Sequence, residues 1–466
     1  MLKTRTIITS LCLASILGCV SGANVSAANK EYIVHVYSNI IGEDASSAQV
    51  TYELQNIDGS VVSSKTSSAQ DVAFDPIVLD ETDNVSHYYK IVQKDGSSAG
   101  LTHDDKTVYV RIKPSENIFA YQDDATYKYI NDGSGPHPYH ATDEELQGEA
   151  YAVYDSTTNT LMFFRDEPGK YTDNQVDGTK TYYAGFELAN QGQDDWFRAQ
   201  TPTWQYYINR DVKKIVFRDA IRPEGAMANW FKNFENVEEA DISKLDTSRV
   251  GSMYYFFYGA SKVDLNLTTL DFTHIAQVAS ETSIHPLDEF MNHSGQTEFD
   301  FNNYAPIDAG SNHGIADMLA WTPLRYLNVE NLGIGSSSAE FNMTSCLERV
   351  VVGEKYNFYR SNLDIAGNEW LKIETGKIDQ FSNFMNDDGA GGTHYIDSGN
   401  VYAKGNYVRP ICNTTPATFT SKYIKPASSD DDIKNPETND DLTAANLAIV
   451  SITGLFVVAV LGRAKH

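Results

Sequence analysis

The chain has 466 residues, and its 63 acidic residues against 36 basic ones give a formal net charge of −27. So acidic a surface repels nucleic acid and anionic lipid, and no basic patch or aromatic RNA-binding motif offsets it, so we expect no nucleic-acid partner. Four cysteines are too few for a disulfide framework, and the length exceeds what one hydrophobic core accommodates, which predicts several domains.

The N-terminus has the features of an exported protein. Two basic residues precede an apolar stretch, and small residues follow at the positions that a signal peptidase reads. This pattern predicts a signal peptide over residues 1–27, with cleavage between Ala27 and Ala28. A second interpretation stays open, because Ile16-Leu17-Gly18-Cys19 resembles a lipobox, in which the cysteine would be lipidated.

Residues 28–132 have the pattern of an all-β domain. Short runs of alternating apolar residues are separated by turn pairs such as Asp58-Gly59, and no helical pattern lies between them. Short strands at this spacing predict a β-sandwich. The predicted strands cover residues 32–37, 50–54, 72–79, 88–92, 108–112 and 127–131.

The order of these strands resembles that of the streptococcal-type pilin isopeptide-linkage domain. In that family a lysine on the first strand is joined to an asparagine on the last, and a buried glutamate mediates the proton transfer. Here Asn131 stands at the asparagine position, residues 46–54 contain no lysine, and Gln93 stands at the glutamate position. The resemblance implies that the fold is retained and that the cross-link is lost.

Residues 133–212 are predicted to be a connector that caps a repeat region, with strands at 150–154 and 160–164. From residue 213 to residue 353, short apolar-alternating runs recur together with aromatic or methionine-rich turns. The spacing is irregular, at roughly 20–35 residues, which is the range of leucine-rich repeats. Units of this size cannot bury their own apolar faces, so we expect them to stack and share one core.

The first full repeat carries a second resemblance. The turn at 228–231, the apolar run at 237–242 and Asp246-Thr247-Ser248-Arg249-Val250 resemble the BspA-like leucine-rich-repeat family. In the next unit, Phe272-Thr273-His274 stands at the position of Asp-Thr-Ser, and residues 280–297 hold an insertion. The resemblance implies adhesion and an irregular solenoid, an α/β arrangement of short strands, turns and short helices. The predicted fold is therefore multidomain, with an all-β sandwich followed by this solenoid.

Two further segments follow the repeats. Residues 354–426 are predicted to form a C-terminal cap that covers the open end of the solenoid, and residues 427–434 an acidic, extended tether. Cys346 and Cys412 are the cysteines that remain after the signal peptide is removed. The sequence allows either a disulfide between them or two buried thiols.

The C-terminus, residues 435–466, begins with Asn435-Pro436-Glu437-Thr438-Asn439, followed by an apolar run at 442–461 and a basic tail. This order resembles the cell-wall sorting signal of Gram-positive surface proteins, in an NPxTN variant. About 20 apolar residues suffice to span a bilayer, and the basic tail favours the cytoplasmic side. The resemblance implies that a sortase attacks the Thr438 carbonyl and joins it to peptidoglycan. The alternative is an ordinary C-terminal transmembrane anchor.

Patterns that would indicate catalysis or metal binding are weak. His137-Pro138-Tyr139-His140 has the ligand types of a zinc site, but its glycine- and proline-rich surroundings predict a solvated loop. No nucleophile-elbow or metalloprotease motif is present, so we predict no catalytic residues, no metal, no cofactor and no enzymatic activity. The run at 253–258 is predicted to lie mainly in the core, with an exposed aromatic patch as the alternative.

These features together predict an extracellular, cell-wall-anchored protein that spans the membrane before sorting. Its expected partners are sortase, peptidoglycan, and a protein or glycan ligand from a host or neighbouring cell. Two alternatives stay open: a surface enzyme acting on glycan or protein, and a passive structural or shielding protein held by a transmembrane anchor. A pocket in which two carboxylates converge would favour the enzyme.

Overall fold

The computed structural model describes most of the chain between residues 28 and 424, and its regular secondary structure consists mainly of strands in several sheets, with few helices. The multidomain, β-rich character predicted from the sequence agrees with this. The described residues are 28–42, 45–94, 98–124, 127–129, 137–195, 197–281, 286–300, 317–331, 344, 346–353, 369–380 and 404–424.

The strands are numbered in chain order. The first ten are β1 (Asn29–Tyr32), β2 (His35–Ile41), β3 (Val50–Asn56), β4 (Val61–Ser67), β5 (Asp71–Ala73), β6 (Ile77–Asp80), β7 (His87–Lys94), β8 (Leu101–Thr102), β9 (Thr107–Lys113) and β10 (Ile118–Asp123). The next eight are β11 (Glu149–Asp155), β12 (Thr160–Asp166), β13 (Gln175–Asp177), β14 (Lys180–Ala184), β15 (Lys214–Phe217), β16 (Gly225–Ala226), β17 (Glu239–Asp241) and β18 (Val250–Ser252). The last seven are β19 (Glu298–Asp300), β20 (Tyr326–Val329), β21 (Arg349–Val352), β22 (Glu369–Lys372), β23 (Lys377–Gln380), β24 (Gly405–Val408) and β25 (Thr418–Tyr423). The helices are α1 (Trp204–Tyr207) and α2 (Thr273–Glu281), with 3-10 turns at Ala45–Ser47, Pro114–Glu116 and Leu267–Thr269.

Two sheets of the N-terminal region share one hydrophobic core. The first is antiparallel, in the order β10-β9-β7-β3-β4, and the second has the order β5-β2-β25-β8. Along β3 the side chains of Val50, Tyr52 and Leu54 are buried and alternate with more exposed ones, as a half-buried strand requires. Their partners in the core include Val36 and Phe419 from the second sheet. The predicted alternation therefore does correspond to two sheets packed face to face.

The prediction of the last strand of this domain is wrong. Its place is taken by β10, which pairs with β9 through the short turn at Pro114–Glu116, where Asn117 adopts a left-handed φ of 54°. Residues 127–129 form no strand. Instead, the backbone N–H groups of Lys128 and Tyr129 donate to the Glu298 carboxylate, so these donors are satisfied by a side chain from the repeat region.

The C-terminal strand returns to the N-terminal domain. β25 pairs in parallel with β2, with Tyr37 opposite Thr418, and antiparallel with β8. Its Phe419 side chain is fully buried against Tyr52, with ring centroids 5.3 Å apart. The predicted cap at 354–426 is thus divided, since β22 to β24 extend the last sheet of the repeats and β25 completes the sandwich.

The connector is part of the repeat sheet. β11 pairs antiparallel with β12 and β14, whereas β12 pairs in parallel with β15, and β15 with β17. At this change of direction the rings of Phe163 and Phe217 stack 4.3 Å apart, and Trp204 and Trp230 are buried beside Phe163. The hairpin therefore covers the end of the parallel stack.

The repeat region consists of units that stack in parallel. Strands β19, β20 and β21 pair in parallel, as β15 and β17 do. The third unit has no strand at residues 263–265. There the Gln296 side-chain amide accepts from the Leu265 N–H and donates to the Leu265 carbonyl, and the Asp264 carboxylate accepts from the Thr297 N–H. Side chains thus replace the ladder hydrogen bonds that this unit lacks.

The aromatic turns set the register between units. Each turn has two residues with a left-handed backbone. The N–H of such a residue donates to a carbonyl of the next unit, namely that of the residue preceding the equivalent left-handed position. Examples are the bonds from Asn229 to Tyr254 (3.0 Å) and from Gly259 to Asn292 (2.8 Å). The predicted bounds of the insertion, 280–297, are wrong: the extra residues of this unit include α2, and the register resumes at Pro286, whose carbonyl accepts from Met253. The first set of left-handed residues is Asn229, Tyr255, Glu289 and Asp317, and the second is Asn233, Gly259, His293 and Trp321.

The far end of the stack is closed covalently. Cys346 and Cys412 form a disulfide that joins residues 66 apart in sequence, with Cα atoms 5.6 Å apart. Beside it the fully buried Glu348 carboxylate accepts from the N–H groups of Cys412 (3.0 Å) and Asn413 (3.1 Å) and from the Arg325 guanidinium (2.8 Å). The disulfide decides between the two possibilities that the sequence left open.

We expect Phe419→Ala to destabilise the protein by about 3–5 kcal/mol, because it removes a fully buried ring and leaves a cavity between the two sheets. Urea unfolding followed by circular dichroism measures the loss. Tyr206→Ala, at a side chain 68% exposed, is the control and should change stability by less than ~0.5 kcal/mol. Equal midpoints for the two variants would show that β25 does not contribute to the core.

Candidate binding face

The predicted targeting segments lie outside the described residues. These are the sorting motif at 435–439, the apolar run at 442–461, and Ala27. Ala28 is the first described residue; it is exposed, and its carbonyl accepts from the Glu81 N–H at 3.0 Å. Within the part of the chain that the structure describes, no helix is long and apolar enough to cross a membrane.

Gln93 takes part in a hydrogen-bond network between two sheets. It lies on β7 and is buried, and its Oε1 accepts from the Asp104 N–H (3.1 Å) and from the Ser421 hydroxyl (3.0 Å) on β25. A neutral amide in this position holds β25 in place, whereas it has no acidic proton to transfer, as a carboxyl group would. Asn131, its predicted partner in the degenerate cross-link site, lies outside the described residues.

The histidine loop lies against the edge of the repeat stack. His140 Nε2 lies 2.9 Å from the Asp271 carboxylate, the Tyr139 N–H donates to the Thr269 carbonyl, and the Ala141 N–H donates to the Asp246 carboxylate. Among the described residues no group of three His, Cys, Asp or Glu side chains is arranged to hold a metal ion. The loop therefore serves as an attachment to the repeats.

Asp246 and Asp271 occupy the same position in successive units. Each carboxylate accepts the backbone N–H two residues ahead, from Ser248 (3.0 Å) and Thr273 (2.8 Å) respectively. The Thr247 hydroxyl bonds both the N–H and the carbonyl of Asp271, which joins the two turns. The Asp-Thr-Ser element thus connects successive turns by hydrogen bonds. In the next unit, where residues 272–274 differ from this element, Asp271 takes the place of its aspartate.

Two of the cavities on the described surface are each lined by a single carboxylate residue. One of about 460 Å³ lies beside Glu31 and Phe119 in the sandwich, and one of about 100 Å³ lies beside Asp173 and Trp204 in the connector. Neither brings together the two carboxylates that would favour a hydrolase.

The surface of the aromatic turns carries a continuous row of rings, which we call the aromatic face: Tyr255, Tyr258, His293 and Trp321. Ring centroids are 5.0 Å apart from Tyr255 to Tyr258, 5.9 Å from Tyr258 to His293, and 5.4 Å from His293 to Trp321. The last two rings stack nearly parallel, at 16°. Trp321 is 50% exposed, and His293 is exposed as well.

The run at 253–258 supplies both core and surface. Met253, Phe256 and Phe257 are fully buried, which agrees with the main prediction, whereas Tyr255 and Tyr258 are partly exposed and begin the aromatic face. The left-handed turns cause this split, because they direct side chains of one short run alternately into the stack and out of it.

Three members of the aromatic face have unfavourable backbone conformations. Tyr255, His293 and Trp321 have φ values of 58°, 58° and 60°. Bulky L-residues such as tyrosine and tryptophan are rare at such angles, which cost roughly 1–2 kcal/mol per residue, whereas glycine, asparagine, aspartate and, to a degree, histidine tolerate them. The equivalent positions in the same stack hold Asn229, Asn233, Gly259 and Asp317, together with Glu289. The rings therefore stand where the fold alone favours a smaller residue.

Carboxylates surround the aromatic face. The Tyr255 hydroxyl donates to the Glu289 carboxylate at 2.9 Å. Burial, together with the nearby Glu289 charge, raises the pKa of Asp317 above its usual value. The Lys232 ammonium lies 3.5 Å from the centre of the Tyr255 ring and 5.3 Å from that of Tyr258. Burial lowers the pKa of Lys232, and Glu289 opposes that shift.

The sequence prediction missed His293 and Trp321. The sequence did contain a signal for them. His293 and Trp321 each follow the second apolar residue of their turn by two positions, and Asn233 and Gly259 follow Phe231 and Phe257 at the same distance. Aligning the turns on that position would have placed both rings in one column. The change in spacing caused by the insertion concealed it.

No protein-family model matches the chain, and no curated protein matches it significantly.

The intact mass of the mature chain should equal the sequence mass after reduction, with no loss of ammonia from a lysine–asparagine bond, because β3 has no lysine and Gln93 is a neutral amide. Mass spectrometry of the denatured, reduced protein measures this. A deficit of one ammonia that Asn131→Ala abolishes would show that the cross-link forms with a lysine from elsewhere.

Proposed function

We propose that this protein is exported, attached to the cell wall by a sortase, and displays a binding face for a protein or glycan ligand. The support at the two ends is sequence pattern: the signal-peptide features before Ala28 and the order of motif, apolar run and basic tail from Asn435 onward. Transpeptidation at Thr438 would leave the folded body outside the cell.

The repeat region is proposed to be an irregular leucine-rich-repeat solenoid. Parallel strands joined by turns, a shared core and a register that continues past the insertion support that assignment. The sandwich is proposed to be an isopeptide-linkage-type domain that has lost its cross-link. In place of the covalent bond, β25 ties the N-terminal sheet to the C-terminal part of the chain.

The disulfide supports export independently of the terminal motifs. Disulfides are rare in reducing cytosol and persist outside the cell. The Cys346–Cys412 bond closes 66 residues of chain, which in the chain-entropy account stabilises the protein by about 4 kcal/mol. A protein that folds with this bond is suited to an oxidising compartment.

The aromatic face is the observation that carries the binding role. Exposed rings from successive units form one row, at backbone positions where smaller residues would be less strained. Stabilisation of the fold does not account for an exposed Trp321, since half of its surface stays in water. Large aromatic side chains at a surface are favoured where a partner covers them.

We expect Thr438→Ala to abolish wall attachment in the cells that produce the protein, because the sortase acyl-enzyme would form at that carbonyl. Fractionation after peptidoglycan digestion should find the protein in membrane or medium instead. Thr443→Ala, inside the apolar run, is the control and should leave wall attachment unchanged. Wall-linked Thr438→Ala protein would exclude sorting at this motif.

A further inference from the structure

The charge and chemistry of the aromatic face narrow the class of ligand. The turns that carry the rings also carry Glu289 and Asp317, and the chain as a whole has a formal charge of −27. An anionic ligand would be repelled at such a surface. Electron-rich rings together with carboxylates favour a cation instead.

The molecule already holds one cation on these rings. The Lys232 ammonium lies over Tyr255 and Tyr258, at 3.5 and 5.3 Å from the ring centres, and it is partly buried there. This contact shows that an amine fits one end of the aromatic face. The other end, formed by His293 and Trp321, is open to solvent.

The like charges of Glu289 and Asp317 add a driving force. Partial burial is the main cause that raises the pKa of Asp317, and the like charge of Glu289 adds to it. A cation placed beside the two carboxylates offsets both effects. Glu289 also acts on Lys232: burial lowers the pKa of this lysine, and the Glu289 charge opposes that shift and favours the charged ammonium.

We propose that the aromatic face binds a cationic segment of a partner protein, seating a lysine or arginine side chain on the open rings of His293 and Trp321. This inference rests on the proposed binding role and names the partner's chemistry. Cation–π contacts and nearby carboxylates recognise the side chain, and Lys232 fills the remaining end of the row. The strain at Trp321 is retained because its ring is needed for the ligand.

The test uses the mature chain, residues 28–438, and a fluorescent peptide that carries two lysines among glycines and serines, with its Nε-acetylated form as the matched probe. Fluorescence polarisation should show binding of the unmodified peptide only. The double variant His293→Asn/Trp321→Asn keeps the formal charge and suits the left-handed backbone, and it should weaken binding roughly tenfold. Its melting temperature should equal or exceed that of the wild type.

Tyr206→Asn/Tyr207→Asn is the matched control, since it removes two rings that are 68% and 64% exposed and belong to α1 instead of the row of stacked rings. It should bind the peptide as the wild type does. If both double variants weaken binding equally, or if His293→Asn/Trp321→Asn lowers the melting temperature by several degrees, the rings are not a ligand site and the inference fails.

A gain of affinity tests the same idea from the opposite direction. Lys232→Gln removes the resident ammonium and opens Tyr255 and Tyr258, so binding should tighten about threefold to tenfold. Lys262→Gln changes the charge equally at a side chain that is 50% exposed and whose ammonium lies 3.5 Å from the Glu238 carboxylate, and it should have a smaller effect. Equal effects of the two variants would reduce the interaction to general electrostatic attraction and overturn the inference.

A glycan array with the same proteins separates this inference from the proposed function. Binding to neutral glycans that is lost in His293→Asn/Trp321→Asn, with no binding of the lysine peptide, would overturn the cationic partner and leave the binding role standing. Failure of both probes would overturn both.

Discussion

The hydrogen bonds between equivalent turns are the constraint on which the repeat region depends. Each unit has too few residues to satisfy its own backbone, and its N–H groups donate to carbonyls one unit further on, from Asn229 to Tyr254 and from Gly259 to Asn292. That pattern requires a left-handed residue at two fixed positions in every turn. Core side chains and surface rings both follow from it, because the turn decides which side chain faces inward.

The two parts of the chain are also bound to each other. The Glu298 carboxylate accepts the backbone of Lys128 and Tyr129, and the Glu369 carboxylate accepts the Ser86 N–H at 2.9 Å. β25 then returns to the sandwich beyond the disulfide at Cys412. A body built in this way has its first strands and its last described strand in one core. A tether that begins after residue 424 would therefore leave from the sandwich.

Much of the fold was readable from the sequence where a pattern is local. Alternation along β3, β7 and β9 predicted strands, and the repeated aromatic turns predicted stacked units with a shared core. The sequence analysis missed β10 and β25. Strand β10 follows its partner β9 after a very short turn, and β25 pairs with β2, which lies near the other end of the chain. At the candidate site the tyrosines of the 253–258 run were foreseen as a possible surface patch, whereas His293 and Trp321 were not.

The sequence by itself determined the β-rich, multidomain class, because the alternation along each strand is written in neighbouring residues, whereas the repeat family and the terminal signals stay predictions from sequence pattern. Only the tertiary structure decided the disulfide, the return of β25 and the joining of four rings into one face. These three features depend on contacts between residues that are distant in sequence. The unit that contains α2 is longer than the others, yet the hydrogen-bond register between its turn and the next is unchanged. The strain at Trp321 could be recognised only once Asn229, Asn233 and Gly259 were seen in equivalent backbone positions.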